Sequence, residues 1–423
     1  MRIAARRTLI GLVVLLAVLV FVTSAVGRSR ARHRVQDLHW VGTWGAADQP
    51  DSQTTLNDQT VRDIIHTSVG GQGVSLRLTN AFGGNPAPAG DAFTDQYTLT
   101  VAKVYVGLAT KGSAAVIPGT NRLVTFVATP TVELPPGSVA WSDPTYLRIP
   151  PGRDLAVSIY VAGQTPNATW HADTHQTSYL STGDHAADTA GAAFTTSIQH
   201  WFFLDAADVG APAGLGAVAT LGDSITDGYQ STLNANHRWP DFLGRRLADA
   251  RWPIRGVLNE GIDGNEILHD FNCCGGNPNA QSRLDRDVLT QDGVRDVILL
   301  EGINDIGHPG PEITAARIIQ GMKNLIARAH HAGLRILGGT ITPFENTTIA
   351  GYYSPAKEAT REAVNQFIRI SHAFDGVIDF DQAIRDPSDP LRMLPAYDSG
   401  DHLHPNDAGY RAMADAVPLS LLR

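Results

Sequence analysis

The region from residue 38 to residue 205 alternates apolar and polar positions over short stretches, which is typical of half-buried strands. Proline- and glycine-rich turns separate these stretches, and only residues 60–66 are ambiguous between strand and helix. Many short strands of this kind predict an all-β sandwich or jelly-roll domain over 38–205. The clearest strand candidates are 74–78, 99–106, 123–127 and 155–161.

From residue 217 to residue 423 the pattern changes to short apolar runs that alternate with segments of helical spacing. Five such alternations predict a parallel five-stranded sheet covered on both faces, a doubly wound, flavodoxin-like α/β sandwich. Its site should lie at the carboxyl ends of the strands. The predicted strands are 217–221, 254–258, 297–300, 336–341 and 377–380, and the predicted helices are 239–247, 313–329, 355–370 and 407–417.

Residues 206–216, between the two regions, are mostly small and include several glycines. This composition predicts a linker. A chain of 423 residues is too long for one ordinary domain, so the division into two domains agrees with its length.

The N-terminal segment 1–34 has the layout of an export signal, since basic residues precede the apolar run 9–26. Small residues at 23–25 form a candidate cleavage site, but an 18-residue run also fits an uncleaved membrane tether. We therefore expect an exported protein, either secreted or anchored to the outer face of the cell membrane. Seven arginines and no acid lie in this segment: Arg2, Arg6, Arg7, Arg28, Arg30, Arg32 and Arg34.

The rest of the chain is acidic. Without those arginines, 26 of the 33 basic residues remain against 42 acidic ones, a net charge of −16. This balance argues against nucleic acid as a partner. The two cysteines, Cys273 and Cys274, are adjacent and predict neither a disulfide framework nor a metal site.

Four polar blocks fall near the predicted carboxyl ends of strands and before the last helix. Taken singly, each has a structural explanation, such as a helix cap, a turn glycine or an Asx turn. Together they supply every group that an acyl-transfer site needs. The blocks are 222–224, 259–265, 301–305 and 401–406.

The chemistry of ester hydrolysis assigns roles to these residues. Ser224 is the candidate nucleophile, with His404 as its general base and Asp401 as the carboxylate that orients the imidazole. The oxyanion that forms in the reaction needs donors that are already in place. Candidate donors are the backbone N–H groups of Ser224 and Gly264 and the side-chain amide of Asn304.

Asp401, His402 and His404 also allow a zinc-site interpretation, because two histidines and a carboxylate lie within four residues. That interpretation leaves Ser224 and Asn304 without a role. We therefore expect no metal and no cofactor, and we expect His404 rather than His402 to be the base.

The ordered blocks resemble the SGNH/GDSL hydrolase superfamily: Gly-Asp-Ser-Ile, a second-block glycine, Gly-x-Asn-Asp and Asp-x-x-His-Pro. The resemblance covers about residues 215–423. It implies that Ser224, Asp401 and His404 form a catalytic triad and that Gly264 and Asn304 are oxyanion donors. Gly261 competes for the second-block position, but the Asn-x-Gly-x-x-Gly spacing favours Gly264.

The β-rich region, with segments 41–44 and 66–71, resembles the leading domain of an exported bacterial branch that is similar to acetyl-xylan esterases. This resemblance implies a carbohydrate ester as substrate. We therefore expect a serine esterase that hydrolyses acetyl or short-chain O-acyl esters of a small molecule or polysaccharide. The alternatives are an exported lipase or lysophospholipase with the same triad, and a non-catalytic cell-surface carbohydrate-binding protein.

Overall fold

The computed structural model describes residues 39–50, 54–84, 96–270, 277–309 and 313–423. The predicted signal or anchor segment 1–34 and the pair Cys273 and Cys274 lie outside these described residues. Within the described ranges, no helix is both long enough and apolar enough to cross a membrane. Two large buried hydrophobic clusters, one in each half of the chain, define a β domain and an α/β domain.

The β domain is built from antiparallel strands, as predicted, and residues 60–66 belong to a strand. The strands are β1 (His39–Gly45), β2 (Gln49–Pro50), β3 (Thr55–His66), β4 (Val74–Asn80), β5 (Leu99–Leu108), β6 (Arg122–Val124), β7 (Val132–Leu134), β8 (Ser138–Trp141), β9 (Asp154–Pro166), β10 (Thr169–His171), β11 (Ser178–Thr182), β12 (Thr196–Ile198), β13 (Trp201–Phe202) and β14 (Leu204–Ala211).

These strands form two main sheets that face each other. One has four strands in the order β1-β14-β4-β8, and the other has seven, in the order β12-β11-β3-β9-β5-β6 with β7 also paired to β5. Leu76 and Val209 of the first sheet share one buried cluster with Val104 and Ile159 of the second. Alternating side chains of both sheets thus fill a common core, the arrangement of a β-sandwich. A short three-stranded sheet, β13-β10-β2, completes the domain.

The prediction of a linker over 206–216 is wrong for most of that range. Residues 206–211 are the end of β14, which is hydrogen-bonded to β1 on one side and to β4 on the other. All residues of β14 are buried. Small side chains such as Ala206 and Ala207 therefore serve close packing at the centre of a sheet, whereas the same composition suggested a flexible connection. Only residues 212–215 join β14 to the α/β domain.

The α/β domain contains the five predicted parallel strands, each within a few residues of its expected bounds. The strands are β15 (Gly216–Gly222), β16 (Ile254–Gly261), β17 (Val294–Leu300), β18 (Arg335–Gly339) and β19 (Gly376–Ile378), followed by a small hairpin of β20 (Arg385–Asp386) and β21 (Asp389–Met393). The helices are α1 (Ser224–Asp227), α2 (Trp239–Asp249), α3 (Ala280–Leu284), α4 (Ile303–Gly307), α5 (Ala315–His331), α6 (Pro355–Ile370), α7 (Phe380–Ile384) and α8 (Asp407–Ala416), with a π turn at Asp285–Leu289 and a 3-10 turn at Leu419–Leu421.

The parallel sheet has the strand order β16-β15-β17-β18-β19, which is the flavodoxin-like order for strands counted from β15. Its register aligns Gly222, at the end of β15, with Gly261 of β16 and with Leu300 of β17. Three neighbouring strands therefore end at one edge, and the polar blocks that follow them meet there.

The β domain covers the outer edge of this sheet. The edge strand β16 runs beside β1, where Ala46 forms a parallel bridge with Asn259. The Val257 N–H donates a hydrogen bond to Ser68 Oγ at 3.0 Å. Because an open strand edge promotes intermolecular pairing, this contact protects the sheet and joins the two domains closely.

Candidate active site

Ser224 lies where β15 passes into α1. Asp223 is the residue that caps this helix, because its Oδ1 accepts a hydrogen bond from the Ile225 N–H at 2.9 Å. The Ser224 hydroxyl is therefore available for another partner. The serine is 5% exposed, at the carboxyl edge of the parallel sheet.

The predicted triad residues form one continuous chain of hydrogen bonds. Ser224 Oγ lies 2.9 Å from Nε2 of His404. Nδ1 of the same ring lies 2.7 Å from Oδ2 of Asp401. The other carboxylate oxygen, Oδ1, accepts hydrogen bonds from the backbone N–H groups of Leu403 at 2.9 Å and His404 at 2.8 Å. The structure thus brings together serine, imidazole and carboxylate from opposite ends of the α/β domain.

Asp401 is held as a carboxylate. Burial would raise the pKa of its carboxyl group, but hydrogen bonds from the His404 ring and from two backbone amides outweigh burial and keep the pKa well below its usual range. An ionised Asp401 requires a proton on Nδ1 of His404. The lone pair of Nε2 then faces Ser224, which is the tautomer that a general base needs.

His402 has a different partner from His404. Its Nδ1 pairs with Oδ2 of Asp398, and its side chain is 46% exposed, whereas that of His404 is 8% exposed. The two histidines therefore bind different carboxylates. This geometry agrees with His404 as the base and does not gather Asp401, His402 and His404 around one point.

Asn304, the second residue of α4, is held in a fixed orientation. Its Nδ2 donates to the backbone oxygen of Asn265 at 2.9 Å, and its Oδ1 accepts from the hydroxyl of Tyr352 at 2.7 Å. Among the described residues the Asn265 oxygen is the acceptor of Nδ2, and because an amide nitrogen carries two hydrogens, its other N–H remains for a further acceptor. Tyr352 belongs to none of the four blocks, and sequence analysis missed it.

The second-block loop contacts both the end of β15 and Asn304. The Ile262 N–H donates to the Gly222 oxygen at 3.0 Å, and the Asn265 oxygen accepts from Asn304. Gly264, between them, has a φ of +72°, a left-handed conformation that side chains rarely adopt. Gly264, the glycine that the Asn-x-Gly-x-x-Gly spacing favoured, thus lies at the turn of this loop.

Glycine is required at position 261 for a different structural reason. A Cβ at this position would lie 2.2 Å from the backbone nitrogen of Asp227. Only glycine therefore lets the end of β16 approach the end of α1 so closely.

Arg283 of α3 connects the first two blocks and was also missed. It is fully buried, and its guanidinium donates to the backbone oxygens of Gly222 at 2.9 Å and Glu260 at 2.7 Å, and to Oδ1 of Asn265 at 2.9 Å. These contacts tie the end of β15 to the second-block loop. The five residues of α3 are too few to show a periodic pattern, so the sequence offered no signal for this role.

Tyr229 is a third residue outside the predicted set. Its ring packs edge-on against the His404 ring, with centroids 4.7 Å apart. Its N–H donates to the Ser224 oxygen at 2.9 Å, and its own oxygen accepts from the Tyr410 hydroxyl at 2.6 Å. Tyr229 therefore bounds the space beside both Ser224 and His404.

One group among the described residues could in principle hold a metal ion: Glu266, His269 and Asp305, whose ligand atoms lie within 4.8 Å of one another. Both Asp305 oxygens, however, accept backbone N–H groups, from Ile267 at 2.8 Å and Leu268 at 3.0 Å. Glu266 pairs with His269 at 3.3 Å. Through these contacts, the three side chains support the loop that follows Gly264.

Comparison with known proteins identifies the α/β domain. Residues 220–412 match the model of the GDSL-like Lipase/Acylhydrolase family. No curated protein matches the chain. The matched range runs from β15 into α8 and contains Ser224, Gly264, Asn304, Asp401 and His404.

Several solved structures are similar over about half of the chain. A carbohydrate acetylesterase family member from Sinorhizobium meliloti is 20% identical, with a TM-score of 0.39 over 48% of this chain and 95% of that one. The aryl esterase of M. smegmatis is 19% identical, with a TM-score of 0.40 over 48% and 95%. A lipase/acylhydrolase from Enterococcus faecalis is 18% identical, with a TM-score of 0.38 over 48% and 93%.

The family match and the fold agree on the same half of the chain. Residues 220–412, which make up most of the α/β domain, therefore match the GDSL-like Lipase/Acylhydrolase family, and the protein is an ester hydrolase.

Proposed function

We propose that the protein is an exported serine esterase that hydrolyses acetyl or other short-chain O-acyl esters, with carbohydrate as the alcohol part. The observation that carries the mechanism is the continuous hydrogen-bonded chain from Ser224 Oγ through the His404 ring to the Asp401 carboxylate. A non-catalytic carbohydrate-binding protein would have no need for this arrangement.

In the acylation step, Ser224 Oγ attacks the ester carbonyl carbon while its proton passes to Nε2 of His404. The imidazolium that forms is stabilised by the ionised Asp401. When the tetrahedral intermediate collapses, the bond to the alcohol breaks and Nε2 returns the proton to the departing oxygen. A water molecule then repeats these steps on the acyl-serine, which releases the acid and restores Ser224.

The oxyanion of each tetrahedral intermediate requires donors, and we assign three. The Ser224 N–H is at the start of α1, where a helix leaves its first amides without intrahelical partners. The Gly264 N–H and the remaining N–H of Asn304 complete the set. Within the described ranges, neither the Ser224 nor the Gly264 N–H has a protein acceptor. Preorganised donors of this kind contribute most once negative charge develops.

The substrate part of the proposal rests on the resemblance of segments 41–44 and 66–71 to the leading domain of acetyl-xylan-esterase-like proteins. Export rests on the basic and apolar pattern of residues 1–34. Both would place the enzyme where polysaccharide esters are found.

An ester panel tests the proposal: p-nitrophenyl esters from acetyl to long acyl chains, acetylated xylan and a lysophospholipid, each with wild-type protein and Ser224→Ala. We expect kcat/KM to be highest for acetyl or short acyl groups, acetate to be released from xylan, and the variant to be inactive although folded. A preference for long chains or lysophospholipid would instead support the lipase alternative. Turnover by folded Ser224→Ala would overturn the mechanism.

A further inference from the structure

The β domain reaches the neighbourhood of the triad through residues 171–177, here called the interface segment. It lies against residues 227–234 of the α/β domain. The Asn234 N–H donates to the His175 oxygen at 3.0 Å. The Thr177 N–H donates to Asn234 Oδ1 at 2.7 Å, and Asn234 Nδ2 donates to Thr177 Oγ1 at 2.9 Å. These contacts fix the interface segment on the chain that directly follows α1.

His171, at the start of this segment, is 3% exposed and surrounded by acceptors. Its Nε2 lies 3.1 Å from Oδ1 of Asp227 and 3.1 Å from the Asp173 oxygen. Its Nδ1 lies 2.8 Å from the Ala47 oxygen. Carboxylates and carbonyls only accept hydrogen bonds, so both ring nitrogens must donate. Beside an ionised Asp227 the ring is therefore an imidazolium, and it stacks on Trp201 with centroids 5.5 Å apart.

The surrounding charges favour the same state. Burial lowers the pKa of His171, but the charge and hydrogen bond of Asp227 outweigh burial and raise the pKa to about 9. Arg238 opposes this shift, and the charges of His175 and Asp263 also interact with that of the ring.

Asp227 connects this histidine to the nucleophile. It is the last residue of α1, the helix that Ser224 begins, and it is 2% exposed. A buried carboxylate is stable only with a hydrogen-bonded counter-charge. His171 supplies that charge from the β domain, so the four-residue helix is held by the Asp223 cap at one end and by His171 at the other.

We propose that His171 is a positioning residue that holds Asp227, and with it the helix that carries Ser224, so that the β domain completes the active site of the α/β domain. The proposal rests on Ser224 being the nucleophile. Without His171, α1 would keep the hydrogen bond from the Asn259 amide to the Thr226 oxygen at 2.9 Å but would lose the ion pair at Asp227, and Ser224 Oγ would sample positions away from Nε2 of His404.

Two variants test the pair. His171→Gln keeps a donor but removes the charge and the second donor group, and Asp227→Asn removes the carboxylate with little change in shape. We expect each to lower kcat for p-nitrophenyl acetate by roughly 10- to 100-fold, the effect of displacing a reacting group by about 1 Å, with little change in KM. The double variant should lose little more than the worse single variant, because the two side chains act as one unit.

The kcat is calculated per active site. The number of active sites is measured by titrating Ser224 with a fluorophosphonate, so that unfolded protein does not contribute. The matched control is His66→Gln, which removes another histidine paired with an aspartate of the β domain, Asp154, at 2.7 Å. It should keep the wild-type kcat. A folded His171→Gln or Asp227→Asn protein with the wild-type kcat overturns the proposal.

The wild-type protein gives a test that needs no substitution. A group whose folded pKa is raised contributes while it is protonated and stops contributing as the pH rises through that pKa. The kcat of folded wild-type protein should therefore fall as the pH rises through about 9, and this fall should be absent from His171→Gln. A wild-type profile that stays flat above that pKa contradicts the proposal. Ser224→Ala separates failure of the positioning role of His171 from failure of the proposed mechanism, because activity in that variant overturns the triad itself.

Discussion

At the scale of single residues, neighbouring groups fix the orientation of the functional side chains. Asp401 orients the His404 ring, and Tyr352 orients the amide of Asn304. Holding a group in one orientation before the reaction removes the need to reorganise it when charge develops. The consequences can be tested by changing either the functional group or its neighbour.

Asn304→Ala should lower kcat by roughly 10²–10³-fold with little change in KM, because the amide matters mainly once the oxyanion forms. Tyr352→Phe removes one hydrogen bond to that amide and should lower kcat by roughly 2- to 12-fold, as expected for about 0.5–1.5 kcal/mol. Kinetics and the Tm are measured on the same preparations. A lower Tm with unchanged kcat in Asn304→Ala would assign Asn304 to the turn alone.

Asp223 should make stability depend on pH. Burial raises the pKa of its carboxyl group to about 7, against the hydrogen bond from Ile225 and the charge of Arg283. The folded state therefore keeps a proton that the unfolded state loses, so wild-type stability falls as the pH rises from the unfolded pKa towards 7. Asp223→Asn keeps the cap without the charge. It should raise the Tm relative to wild type more at about pH 8 than at about pH 4, and an equal effect at both values would contradict this account.

The residues of the triad and the candidate oxyanion donors could be selected from the sequence because each follows a strand end or precedes a helix in a specific short block. Tyr352, Arg283 and His171 could not. Each reaches the site from a segment without a motif, and its role depends on which elements the fold places side by side.

At the scale of elements, periodicity identified the strands and longer helices of the α/β domain, because each buries one continuous apolar face. It failed at 206–211, where small residues belong to a central strand. Periodicity could not identify α3 either, since this helix has only five residues. Yet α3 carries the arginine that ties the first two blocks together.

Arg283→Met should lower the free energy of unfolding by about 3–5 kcal/mol, because removing one partner leaves buried charges and carbonyl groups unpaired. Arg411→Met is the matched control: Arg411 pairs with Asp415 at 4.0 Å, and both side chains are mostly exposed. Its effect should be about 0–1 kcal/mol. Urea unfolding of both variants measures the difference, and equal effects would show that Arg283 does not stabilise the site loops.

At the scale of the whole molecule, the β domain packs directly against the α/β domain and is not a separate module on a linker. It covers the edge strand β16, and its interface segment lies beside α1. The sequence predicted both folds but not their close contact, since only small residues at 206–211 marked the boundary. Substrate and export remain predictions at this scale.

Export has a direct test in the mature N-terminus. Basic residues before the apolar run 9–26 should direct the chain out of the cytoplasm. Mass spectrometry of the protein from its native host should show either a start near residue 26, which indicates a cleaved signal, or an intact Met1 in the membrane fraction, which indicates a tether. Full-length protein recovered from the soluble cytoplasm would contradict both.

The most direct test of the central claim is covalent labelling of the nucleophile. Wild-type protein is treated with a fluorophosphonate, and residual esterase activity is measured while the modified residue is identified by peptide mass spectrometry. The account predicts one adduct, on Ser224, with activity lost in proportion to its formation, and no adduct on Ser224→Ala. Full activity in protein whose Ser224 is completely modified, or inactivation through an adduct on another residue, would contradict it.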